Sequence, residues 1–379
     1  MTDGTDATAP GEATATPDGR RRQFLHFAER ECGEDPIYVA LCRLLAQRPT
    51  ALALLDAAPL TQQRPNLLLA AIHERVLDGA GGALAGYFPS VGGERAPDAD
   101  LCVALDDVLG RERARIQGLV ARRSTQTNEI GRCAVLWPLL AQVAAETGAR
   151  PLALLDFGCS AGLNLGVDRY RYRHGDAAWG APAGAGTPQV DCHPVHGRVP
   201  PSCLAPRIAQ RLGVDPAPVD VHDEAALRWL RACLWPHDRA RMLRFDQAAG
   251  IVRGAGWPVQ AAPDAYAAIE PWLDTLDAGV QPVVFNSWVL AYFEPAALAA
   301  HVAAMRALVQ RRGIAWLSAE GQGLLLGPAP TALDADGTVS AVDLANATLW
   351  WLTLPGAAGA ARTTLRARSH PHGRWAHWE

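Results

Sequence analysis

The segment that most constrains this chain is Leu152-Ala-Leu-Leu-Asp-Phe-Gly-Cys-Ser-Ala-Gly-Leu-Asn-Leu165, where an apolar run meets a turn of small residues and then a helix start. An apolar run closed by glycines is the pattern of a strand covered on both faces, which demands parallel neighbours and flanking helices. The rest of the chain divides around it. From residue 20 to about 149 the periodicity is helical: Ile37, Tyr38, Leu41, Leu44 and Leu45 after Pro36; Leu67, Leu68, Ala71, Ile72 and Val76 after Pro65; then Leu101, Leu105, Val108, Leu109, Ile116, Leu119 and Val120. A further helix is expected over 130–147, kinked at Pro138. Beyond 150, apolar runs at 152–156, 257–261, 280–285 and 314–318 alternate with helical stretches at 265–276 and 296–311, which predicts a mostly parallel α/β sheet. Segments 348–354 and 363–368 flank a Gly- and Ala-rich link and read as a terminal antiparallel hairpin. The Gly-, Pro- and His-rich stretch 170–206 reads as an insertion on the sheet, with short strands at 170–173 and 189–193.

Composition narrows the chemistry. With 379 residues, 49% hydrophobic and 20% charged, the chain is expected to form two domains, 20–149 helical and 150–379 α/β, after an acidic, apolar-poor tail over 1–19. That tail lacks the pattern of a signal peptide, and no run approaches the ~18 apolar residues of a membrane span, so a cytoplasmic location is expected. A net charge of −4 and a pI near 6.3 argue against nucleic-acid or anionic-membrane partners. All 35 basic residues are Arg. Without Lys, Schiff-base catalysis, a Walker A loop and a kinase phosphate lysine are excluded. The eight Cys show no C-x-x-C spacing and read as reduced, mostly buried thiols. His370, His372 and His377 lack a Cys or acid at a diagnostic spacing, so no metal is expected. His73 reads as a structural histidine, and the Arg face over 111–123 as solvated.

Three chemistries use a glycine-rich strand-to-helix turn. The dinucleotide fingerprint G-x-G-x-x-G fails, because Ser160 and Leu163 stand where its later glycines belong. The nucleophile elbow G-x-S-x-G fits Gly158–Gly162 by letter, with Ser160 as nucleophile, His370 or His372 as base, and Asp334 or Asp343 behind it. No oxyanion segment precedes it, however, and no strand precedes residue 150. The third pattern, [D/E]-x-G-x-[G/S]-x-G, resembles the S-adenosylmethionine (SAM) loop of class I methyltransferases, with Asp156, Gly158, Ser160 and Gly162 at its four positions. Small residues there allow close approach of the ligand, and the acid can meet its cationic amino group directly or through water.

The chain also resembles, over almost everything beyond residue 20, a bacterial family described as a domain of unknown function. Gln63-Arg-Pro-Asn-Leu-Leu-Leu, Gln126-Thr-Asn-Glu-Ile-Gly-Arg, Asp156–Leu165, Gly213-Val-Asp, Asn286-Ser-Trp-Val-Leu-Ala-Tyr and Ser369-His-Pro-His-Gly-Arg-Trp carry the likeness. The resemblance implies a class I methyltransferase-like fold, SAM as cofactor and a small-molecule methyl acceptor in a cleft roofed by the helices. By analogy, Asp215 takes the ribose hydroxyls at the end of the second strand, with Asp191 as its rival. Asp264 meets the adenine amino group. Asn128, Glu129, Asn286 and Tyr292 line the acceptor side, the last three as candidate catalytic groups. Asn128 and Glu129 equally suit a helix N-terminus, and Arg64 and Asn66 are explained by Pro65 opening its helix. A serine hydrolase and a non-catalytic SAM-binding protein remain open alternatives.

Overall fold

A computed structural model describes residues 16–379 except 127, 149, 198–204, 329, 331–332, 334–336 and 338. The chain forms two compact units, one falling within Met1–Thr127 together with Asp223–Leu243, the other comprising Asn128–His222 and Arg244–Glu379.

The first unit is helical. Pro17–Arg30, Pro36–Leu45 and Pro65–Leu77 each open on proline, whose fixed φ suits the first helical position. Asp35 Oδ1 caps the second of these, accepting the N–H groups of Ile37 and Tyr38 at 3.1 Å. The first begins inside the stretch read as a tail, because Thr16 Oγ1 accepts the Gly19 N–H at 3.0 Å; residues 1–15 lie outside the described residues. Helix Pro65–Leu77 is buried all round. Even its charged turn is inside: Arg75 bonds Glu74 and Glu112, and Arg228 reaches Glu74 at 2.9 Å. His73 Nδ1 donates to Ala232 O at 3.0 Å, which leaves Nε2 to accept the Ser90 hydroxyl at 2.8 Å; burial lowers its pKa to about 4, so it stays neutral in place.

Contacts divide the chain elsewhere than the periodicity suggests. Helix Cys133–Glu146, which contains Pro138, belongs to the second unit. Helix Glu224–Ala232 returns to the first, where Trp229 Nε1 donates to Ser124 O at 2.9 Å.

The second unit is built on a mixed sheet of 11 strands: β1 Leu152–Phe157, β2 Arg171–His174, β3 Ala177–Gly180, β4 Gln189–Pro194, β5 Ile208–Asp215, β6 Val259–Ala261, β7 Gln281–Ser287, β8 Ala315–Gly321, β9 Thr348–Leu354, β10 Arg362–Ser369 and β11 Trp375–Trp378. Their order is β3-β2-β4-β11-β10-β9-β8-β7-β1-β5-β6. From β6 to β8 every pairing is parallel. Numbered along the chain, these five run 3-2-1-4-5, the doubly wound order. All of β1 is buried, as its apolar run requires. β9 pairs antiparallel with both β8 and β10. The insertion after β1 is part of the sheet, but at its far side: β4 runs parallel beside β11. One face of the sheet packs Trp316, Trp351, Met305, Leu308 and Trp272 into a common core. Trp350, next to Trp351, is fully buried and stacks on Phe285.

Candidate functional site at the carboxyl edge of the sheet

In an open parallel sheet the strand order reverses between the first and fourth strands, and ligands bind outside the carboxyl ends there. In this chain the reversal lies between β1 and β7, registered with Asp156 beside Phe285 and Phe157 beside Asn286. Four segments meet at this edge: 128–132, the loop 158–162, the end of β7, and the turn 370–373.

Asp156 is the last residue but one of β1 and is 1% exposed. Its Oδ2 has no hydrogen-bond partner among the described residues. Burial raises its pKa to about 7, Asn164 pulling it down and the charge of Asp215 pushing it up. A buried carboxyl oxygen without a donor is uncommon and costly, so it marks a place for a cation, a donor or a water.

The loop that follows folds back on itself. Gly158 has φ +77° and Ser160 φ +50°. A β-carbon on Gly158 would lie 2.4 Å from Val289 Cγ2, so the close approach expected from a ligand is made here by a side chain of the β7 loop. Asp215, at the end of β5, holds the loop from below: its Oδ2 accepts the Ser160 N–H at 2.9 Å, and its Oδ1 accepts the Ala217 N–H at 2.8 Å. Its remaining lone pairs are available to hydroxyls. From the other side, Asn128 donates to Ser160 Oγ at 3.1 Å and accepts the Ala161 N–H at 3.3 Å. Asp156, Gly158, Ser160, Gly162, Asp215 and Asn128 are thus brought together.

Other sequence candidates fall elsewhere. Asp191 sits on β4 at the far side, paired with Arg173 at 2.7 Å, so β5 and not that strand adjoins β1. Asp264 lies just beyond β6 on the surface, where its Oδ1 caps the N–H groups of Tyr266 and Ala267. It borders a groove of about 620 Å³, also lined by Gln210, Gln260, Trp272 and Thr275, that contains no residue of the 158–162 loop. Asn286 is 1% exposed and its amide is committed: Nδ2 donates to Ser318 Oγ (2.9 Å) and Glu320 Oε1 (2.7 Å), and Oδ1 accepts from Trp316 Nε1 (2.7 Å). It braces β7 and β8 from inside. Tyr292 is 76% exposed. Of the hydrolase set, His370 Nδ1 accepts the His372 N–H at 2.9 Å and its Nε2 lies 3.8 Å from Asp343, while Asp334 is outside the described residues.

Three residues at this edge take parts that the sequence did not lead us to expect. Arg132, 5% exposed, donates from Nε to Pro371 O at 2.7 Å and from a terminal nitrogen to Ser287 Oγ at 3.0 Å. Glu320, fully buried, accepts the N–H groups of Val289 and Leu290 through Oε1, and burial raises its pKa. His372 places Nδ1 3.4 Å from the buried Glu129 Oε2. Arg132 and His372 stand in quoted motifs, but nothing in a linear motif says that those two segments meet. The described cysteines are all free. Among the described residues no cluster of three or more His, Cys, Asp or Glu is arranged for a metal, and no helix is long and apolar enough to cross a membrane.

Fold and edge together define a doubly wound α/β protein with a glycine-loop site at the switch between its first and fourth parallel strands. Residues 21–378 match the family described as "Uncharacterized protein conserved in bacteria (DUF2332)". The chain belongs to that family. Neither the curated proteins nor the solved structures gave a match.

Proposed function

We propose that this edge binds S-adenosylmethionine and that the chain transfers its methyl group to a small acceptor. The observation that carries the reading is the partnerless Oδ2 of buried Asp156, directly before a glycine loop in the switch crevice. The residues fit the cofactor: Asp156 faces the need for a cation, the loop offers small residues, and Asp215 ends the neighbouring strand with acceptor capacity left. When bound, such a cofactor supplies an electrophilic methyl on a sulfonium centre. Asp156 would hold its amino group, directly or through water, and Asp215 its ribose hydroxyls. Asn128 and Asp215 would keep the loop in the shape that receives it. Much of the catalysis in an in-line displacement is positioning, which a clamped loop provides.

Because the Asp156 carboxyl is raised to about 7, a cationic ligand must bind its ionised form. Affinity for SAM should therefore rise with pH and level off above about 7, with proton release on binding below that. Isothermal calorimetry at pH 6, 7 and 8 measures both. Asp156→Asn removes the charge and should weaken SAM and S-adenosylhomocysteine alike by about 10- to 100-fold, the loss of a charge-assisted bond of about 1.5–3 kcal/mol. Wild-type affinity in Asp156→Asn would overturn the reading.

The positive φ of Ser160 also suits the strained serine of a nucleophile elbow. Against a hydrolase stand its N–H, held by Asp215, and its hydroxyl, held by Asn128. Ser160→Gly should keep SAM binding; covalent labelling of Ser160 by a fluorophosphonate would favour the hydrolase instead.

A further inference from the structure

We propose that His372, positioned by Glu129, is the base that removes a proton from the methyl acceptor, which makes the acceptor a weakly acidic hydroxyl or N–H compound. This rests on the methyl-transfer reading above. The backbone fixes where His372 sits. Residues 370–373 and 129–132 lie against each other so closely that a β-carbon on Gly373 would fall 2.0 Å from Gly131 O, and one on Gly131 would fall 2.2 Å from His372 O. Arg132 ties the same turn to the switch point, one end of its guanidinium on Pro371 O and the other on Ser287 Oγ at the end of β7. Asn128, one residue before Glu129, bonds the glycine loop. His372 is thus fixed to the crevice from two sides.

The pair stands within ion-pair reach, longer than a hydrogen bond, as a base and its orienter often do before a ligand tightens the site. Glu129 is 4% exposed, its Oε1 fixed by the Gly131 N–H at 2.7 Å, and its Oε2 lies 3.4 Å from His372 Nδ1. The His372 side chain is 34% exposed. A carboxylate beside Nδ1 favours the Nδ1–H tautomer and turns the basic Nε2 outward. In the reaction, the acceptor's oxygen or nitrogen attacks the methyl carbon. The new bond to carbon forms as the carbon–sulfur bond breaks, the electron pair leaves with sulfur, and the proton passes to His372 Nε2. The imidazolium so formed is stabilised by Glu129. The groups shown near His372 are Glu129, 3.4 Å from Nδ1, and His370, whose ring lies 5.4 Å away with Asp343 behind it; Arg132 holds the carbonyl of Pro371, and Arg374 follows two residues on. Glu129 puts a carboxylate 3.4 Å from Nδ1, and a carboxylate at such a distance favours the imidazolium form of a histidine.

The test uses the full chain labelled with ¹⁵N-histidine, His372 being assigned by loss of its signals in His372→Asn. Three results are expected: the Nδ1–H tautomer in the neutral wild-type ring, at least a tenfold fall in proton affinity of His372 in Glu129→Gln, and displacement of its signals on saturation with S-adenosylhomocysteine. A neutral ring protonated on Nε2, a titration unchanged within twofold in Glu129→Gln, or signals unmoved by the bound ligand would each overturn the proposal. The tautomer and ligand arms need no substitution in Glu129, so poor folding of that variant cannot hide the answer. Calorimetry on the same sample separates the two failures. No heat of S-adenosylhomocysteine binding overturns the cofactor reading and the base with it, whereas binding with an unmoved His372 overturns the base alone.

Discussion

At Asp156 the same carboxyl that suits a cation works against the fold when no cation is present. Its pKa of about 7 lies above the ordinary Asp value of ~3.9, so the folded chain binds this proton more tightly than the unfolded one. Stability contributed by the neutral carboxyl is therefore present below about pH 4 and lost as pH rises to about 7. Asp156→Asn, which cannot ionise, should raise the urea midpoint over wild type at pH 8, a gain in unfolding free energy on the order of 1–4 kcal/mol, and leave it nearly unchanged at pH 4. A difference of equal size at both pH values would mean that the carboxyl is not held neutral. Legibility at this scale was uneven. Asp156 and the loop were readable because strand, acid and small residues are contiguous. The role of Asn286 was not, because its partners Ser318, Glu320 and Trp316 come from the next strand and only register brings them under its amide.

Between elements, the Gly158 turn is locked by the loop after β7. An alanine at 158 would meet two costs, the left-handed φ and the 2.4 Å approach to Val289. Gly158→Ala should destabilise by about 2–4 kcal/mol, of which the left-handed backbone accounts for about 1–2. Adding Val289→Ala should recover the steric part and leave the backbone part, a coupling that a double-mutant cycle on urea midpoints will show. Additive effects would mean that the two loops do not touch. Strands β1, β7, β8 and β9 were visible as continuous apolar runs because helices or strands cover both their faces. β5 gave no such signal: Ile208–Asp215 carries Gln210 and Arg211, and the polarity of Arg211 is absorbed by paired bonds to Asp168 at 2.7 Å and by the Trp257 ring 4.6 Å away. β11 is four residues long, too short for alternation to register.

Across the whole molecule, the helical unit is discontinuous in sequence. Residues 223–243 supply Trp229, Leu230 and Trp235 to it, the last ring packing beside Phe27 and Tyr38. His237 adds an ion pair with buried Asp35 at 3.0 Å, which raises its pKa. A fragment ending at residue 127 should therefore lack a cooperative thermal transition by circular dichroism and gain one when residues 223–243 are joined to it through a flexible linker. A sharp transition in the short fragment would show that the returning segment is dispensable. Sequence pattern placed the boundary at 149 because periodicity reports local helix formation, whereas membership of a unit is decided by contacts made far along the chain.

The position of β11 between β10 and β4 also has a consequence for how the chain is made. β4 is translated long before β10 and β11, and its ladder partner on that side does not yet exist when it leaves the ribosome. Until β11 arrives, β4 presents an open row of N–H and C=O groups, the kind of edge that pairs with other chains. During synthesis the insertion is thus a half-sheet with one side unpaired, until the Trp-Ala-His-Trp segment arrives to close it.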